Sequence, residues 1–188
     1  KGNKKIKAYS TGKNCIEEDI MAKAKKIPGL DPDHPLDVSL LKILRTRFDE
    51  MTAHEQGTID GSDIEALHDM RVASRRVQAV FKMFRGIFPK KKFKTEYNEL
   101  RLLIRSLGEV RDHDVFIDKI EKMKSETVDR DTRAIDLLII RKKAEREQKR
   151  KLLIQHINTL NKAGYKEHFN SFITENLSVT GKNFSRLE

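Results

Sequence analysis

The chain has 188 residues, with 39 Lys and Arg against 29 Asp and Glu, a single Cys and no Trp. That length suits one ordinary domain with a core plus a short extension, and the scarcity of Gly, Pro and alternating β-branched runs favours long amphipathic helices over a sheet. The net charge of +10 points to a polyanionic partner, the lone Cys15 leaves no intrachain disulfide or cysteine zinc site, and no stretch approaches the roughly 20 apolar residues of a membrane span.

Residues 1 to 15 are polar, basic and aperiodic and read as a flexible lead-in, followed by a short helix over about Ile16 to Lys26 that Pro28 and Gly29 break. Residues 1–36 are therefore expected to form an extension, residues 37–178 the folded domain, and residues 179–188 a tail. From Asp37 to about His54, Val38, Leu41, Leu44 and Phe48 return at helical spacing and predict the first core helix. Gly57 and Gly61 predict a loop, with Ser62 or Asp63 capping the next helix.

That next helix, running to Gly86–Pro89, is the most informative segment. Within HDMRVASRRVQAVFKMFR, His68, Arg71, Arg75, Gln78, Lys82 and Arg85 recur at steps of three and four along one side. Met70, Ala73, Val77, Val80, Phe81, Phe84 and Phe88 fall on the other. No acid is spaced to neutralise the cations of that stripe, although like charges at these spacings repel by a few tenths of a kcal/mol each. The stripe extends about 25 Å at 1.5 Å per residue, which suits a linear polyanion better than one small phosphate ligand. Arginine fits phosphate because its planar fork donates paired hydrogen bonds and keeps its charge. His68 heads this face, where it is either a hydrogen-bonded structural residue or a donor to the anion.

A helix is predicted from about Thr95 to Leu107, with Leu100, Leu103, Ile104 and Leu107 inward and Arg101 and Arg105 outward. Gly108 is expected to interrupt it. A further helix then starts, with Asp112 and Asp114 capping it or pairing with an arginine, Asp112 holding one from the stripe, and Val115, Phe116, Ile120 and Met123 inward. The charged segment from about Arg130 to Leu160 is expected to project into solvent or kink between Arg141 and Lys151, and a last helix spans Tyr165 to Leu177. Short connections between long helices predict an all-α, up-and-down bundle of antiparallel helices.

From His68 to Arg111, twelve Lys and Arg stand against four acids, so the basic character is concentrated in under a quarter of the chain. The candidate anion ligands are His68, Arg71, Arg75, Arg76, Lys82, Arg85, Lys94, Arg101, Arg105 and Arg111, with Asp112 and Asp114 behind them. No Walker-type loop, G-x-S-x-G or H-E-x-x-H arrangement is present. No cofactor is expected, and a metal at His68, Asp69, Asp112, His113 and Asp114 is disfavoured by the surrounding arginines.

Two ordered motifs, His68-Asp69-Met70-Arg71 continuing to Arg75-Arg76, and Leu107-Gly108 followed by Arg111-Asp112-His113-Asp114-Val115, resemble those of the CHAD family, the conserved-histidine α-helical domain. The basic position expected ten residues after the histidine is Gln78 here. The resemblance covers about Asp37 to Leu177 and implies an all-helical protein that binds inorganic polyphosphate through a basic groove without catalysis. Family members are often two related bundles, whereas this chain carries the histidine-arginine motif once. A homodimer completing the groove is therefore expected, in the cytoplasm and in association with polyphosphate granules, with no membrane partner. The alternatives are a helical protein reading the phosphate backbone of nucleic acid, which the few aromatics near the stripe disfavour, and a metal-dependent phosphoanhydride hydrolase using Asp112 and Asp114.

Overall fold

The computed structural model describes residues 24–61, 64–126 and 132–178, which hold helices and no strand. The predicted helix at 16–26, the caps at Ser62 and Asp63, and the tail at 179–188 lie essentially outside the described residues. Six α-helices follow in order: α1 (Leu36–Ala53), α2 (Glu55–Asp60), α3 (Ile64–Met83), α4 (Lys90–Glu126), α5 (Thr132–Lys162) and α6 (Tyr165–Ser178). The all-α bundle is as the periodicity predicts. α4 packs between α3 and α5, α1 between α3 and α6, and α6 also touches α5.

The core forms where these apolar stripes converge. Phe48 of α1 stacks on Phe169 of α6 at 4.3 Å, and Phe81 of α3 lies within 6.4 Å of Phe88, Phe93, Tyr97, Phe169 and Phe172. α1 turns Leu40, Leu44, Phe48 and Met51 inward. Val38 is exposed and Leu41 only half-buried, because the inward row runs through Leu40 at steps of four and three.

Three expectations are corrected. The loop at Gly57–Gly61 is instead α2, which lies so close to α3 that a Cβ on Gly57 would come within 2.8 Å of the Ala66 Cβ. Its C-terminus is Gly61 at φ 66°, a left-handed conformation that glycine adopts without steric cost. Arg150 of α5 donates to the Ile59 carbonyl there at 2.6 Å, meeting the negative end of the helix dipole.

Gly108 does not interrupt the chain, because α4 runs unbroken for 37 residues. A glycine inside a helix costs up to about 1 kcal/mol relative to alanine, and tertiary packing overrides that here. The continuous helix carries one buried row, Leu100, Leu103, Leu107, Val110, Asp114 and Ile117, at alternating steps of three and four. Val115, Phe116 and Met123 are consequently exposed, while Ile120 is buried as expected. Asp112 and Asp114 sit mid-helix and cap nothing.

Residues 141–151 lie within α5, a helix unbroken from Thr132 to Lys162, and are not left projecting into solvent. Their few apolar side chains are replaced by ion pairs to α4: Arg146 to Asp114 at 2.8 Å, Lys149 to Glu109 at 3.0 Å and Lys143 to Glu121 at 2.8 Å. Ion pairs at three points along the two helices fix their register. No helix among the described residues is long and apolar enough to cross a membrane.

Candidate anion-binding face

Contacts along α3 and α4 set their register. Phe81 meets Phe93 and Tyr97, while the Arg71 Nε lies 3.8 Å from where a Cβ on Gly108 would stand. Descending residues on α3 meet ascending residues on α4, so the helices are antiparallel. The two sequence motifs, 40 residues apart from His68 to Gly108, are thereby brought side by side. The Arg71 side chain thus runs beside α4 at Gly108, at ordinary contact distance from where a Cβ would stand.

The same register carries further. Stepping seven residues along each helix turns the direction by only about 20°, so Arg71 and Gln78 form one row and Gly108, Arg101 and Lys94 the row opposite. Arg71 is level with Gly108 and Gln78 with Arg101, and Arg85 follows in the turn after α3. His68 is level with Arg111, and Arg75 and Lys82 flank the α3 row. Arg101 thus stands across from Gln78, where the family pattern would have a cation. Arg85 lies in a 3-10 turn after α3, a correction to its expected place on the helix, because α3 ends at Met83.

Arg71, Arg75, Lys82, Arg85, Lys94, Arg101 and Arg111 form no ion pair among the described residues. Two other candidates are engaged. Arg76 points toward α1 and binds Glu50 at 2.8 Å; Arg47 binds the same carboxylate at 2.7 Å and the Lys25 N–H donates to it at 3.2 Å. Burial opposes ionisation of Glu50, but these hydrogen bonds and the two guanidinium charges outweigh it and hold its carboxyl below the usual range. Arg105 pairs with Glu109 at 3.1 Å, which also takes Lys149; the Lys149 hydrogen bond is the main reason the Glu109 carboxyl is held low.

His68 is buried, with Nδ1 lacking a partner among the described residues. Such a group in a native interior calls for a partner supplied from outside the chain, water or ligand. Asp112 is exposed and makes no ion pair among the described residues, so the expectation that it holds a stripe arginine fails. Asp114 does pair with an arginine, but it is Arg146 of α5, on the opposite flank from the stripe. Sequence reasoning missed Glu50 and Arg146; the heptad continuing from Leu100 to Ile117 would have placed Asp114 in a buried seam and called for a cation.

A helical bundle with a histidine-headed arginine row seated against a glycine of the neighbouring helix defines a recognisable class. The family model for the CHAD domain matches residues 42–186, from within α1 to beyond α6, and the chain belongs to that family. No curated protein and no solved structure matches the chain.

Proposed function

We propose that the α3–α4 face binds inorganic polyphosphate and does so without catalysis. Membership in a polyphosphate-binding family supports this reading, and one observation carries it: two facing rows of cations, on the order of 25 Å long, with seven members lacking any protein anion among the described residues. Such rows repel themselves in the empty protein, and a linear chain of phosphates relieves that repulsion along its whole length. Arg71 and Arg101 grip from opposite walls, His68 and Arg111 meet the chain at one end, and Arg85 and Lys94 at the other. Arg76 acts indirectly, by tying α3 to α1 through Glu50.

Among the described residues Arg75, Lys82, Lys94 and Arg101 of this face are exposed. A second copy presenting its own rows to the same anion would cover them, and a cytoplasmic place among polyphosphate granules would follow from this activity. Asp112 and Asp114 project about 200° apart on one helix, and Asp114 is occupied by Arg146, an arrangement that favours binding over metal-assisted hydrolysis. Isothermal titration with polyphosphates of graded length is the test: affinity rises with length and levels off once the rows are filled. Tighter binding to single-stranded or duplex nucleic acid at every salt concentration would sink the reading, and phosphate release in magnesium would overturn its non-catalytic part.

A further inference from the structure

One side of the α4–α5 pair carries an unusual repeat. Lys149 of α5 reaches Glu109 of α4 at 3.0 Å, Glu145 lies 3.6 Å from His113, and Lys142 sits 5.7 Å above the Phe116 ring. These contacts place 109, 113 and 116 of α4 and 142, 145 and 149 of α5 on one common side. Leu102 and Phe116 lie seven residues either side of Glu109, and Leu138 and Leu152 seven either side of Glu145. Seven-residue steps hold a position on one face of a supercoiled pair. All four apolar side chains are exposed: Leu102 45 %, Phe116 43 %, Leu138 39 % and Leu152 58 %.

The side therefore reads apolar, charged, apolar along its length. Leu102 and Leu152 form one end, as the approach of Ser106 to His156 at 3.5 Å fixes; Phe116 and Leu138 form the other. Between them each glutamate is held by two bases, Glu109 by Arg105 and Lys149, Glu145 by Arg141 and Lys142. The pattern is its own match under a two-fold axis through its middle, and its mixed charges do not oppose self-approach as the α3 side's cations do.

We propose that this side of α4–α5 is a docking surface for a second copy of the chain, the two antiparallel pairs forming a four-helix bundle. The Phe116 and Leu138 end of one copy then covers the Leu102 and Leu152 end of the other. The surface is about 25 Å long and roughly 20 Å wide, so the interface buries on the order of 1,000 Å², at the lower limit for specific association. It forms without any anion, unlike the pairing across a shared polyphosphate.

Multi-angle light scattering of the 188-residue chain without polyanion, from about 1 to 100 µM, tests this. A concentration-dependent dimer is expected. The double variant Leu138→Glu/Leu152→Glu is expected to weaken association at least about 100-fold while retaining helical circular dichroism and polyphosphate affinity, because both positions are exposed; Leu138→Ser/Leu152→Ser serves if the glutamates prevent folding. A wild-type chain that stays monomeric throughout, including one whose terminal segments cover this side, overturns the proposal, as does a double variant that remains dimeric. A dimer that appears only on adding polyphosphate also overturns it, and leaves the binding function intact.

Discussion

α4 has two flanks that use the same residue types in opposite ways. Toward α3, Arg101, Arg111 and Lys94 stand with Arg71, Arg75 and Lys82 without an anion among the described residues. Toward α5, Arg105, Lys142, Arg146 and Lys149 are each matched to a carboxylate. Cations paired within the fold align helices; those without a protein anion are the ones proposed to hold polyphosphate. Local composition does not separate the two roles, since Arg101 and Arg105 lie four residues apart on one helix and belong to different ones.

Breaking the paired flank should have the larger effect on folding. Arg146→Ala leaves the Asp114 carboxylate buried and uncompensated, and a loss of about 3 kcal/mol of unfolding free energy is expected, at the low end for such a break because Arg146 is only partly buried. Urea denaturation measures it. Replacing both partners, Asp114→Leu with Arg146→Met, should restore most of the loss, and failure to do so would mean the pair does more than compensate itself.

On the free flank, Arg71→Glu with Arg75→Glu is expected to weaken polyphosphate binding by more than about 100-fold, near 2.7 kcal/mol, and to leave the far-ultraviolet circular dichroism unchanged, since neither side chain has an ion pair among the described residues. Unfolding of this variant would show those arginines to be structural and erase the distinction between the flanks. Gln78→Arg, which adds a cation level with Arg101, should tighten binding several-fold and steepen its salt dependence.

Two buried carboxylates extend the comparison to pH. Glu50, whose pKa is lowered by its arginines against the cost of burial, contributes stability present above the unfolded carboxyl value and lost as pH falls through its folded value. Glu96 is the reverse. Burial raises its pKa, with His168 at 3.2 Å only partly countering and Glu99 adding to the rise, so its contribution is favourable in acid and lost as pH rises through the folded value. Glu96→Gln should therefore raise the thermal midpoint near neutral pH and gain little near pH 4, whereas Glu50→Gln should lower it at neutral pH. Equal effects for the two would refute the assignment.

The smallest expected effect is at the seam between the motifs. Gly108→Ala should stabilise α4 by roughly 0.5 to 1 kcal/mol through helix propensity, because its Cβ would meet Arg71 at an ordinary 3.8 Å. Binding should change less than about twofold; a larger loss would mean the arginine needs more room when it holds the anion.

The sequence by itself determined the helical class, the two-faced character of α3, and the inward positions Leu100, Leu103 and Leu107. These rest on periodicity within one helix, a local property that 3.6 residues per turn makes visible. Only the tertiary structure decided which cations are free. Arg76 is taken by Glu50 from 26 residues away and Asp114 by Arg146 from 32, and Arg71 finds Gly108 only once α3 and α4 settle into register. The continuity of α4 through Gly108 was hidden for the same reason: glycine's local preference is worth up to about 1 kcal/mol, and burying one unbroken row from Leu100 to Ile117 against neighbouring helices outweighs it.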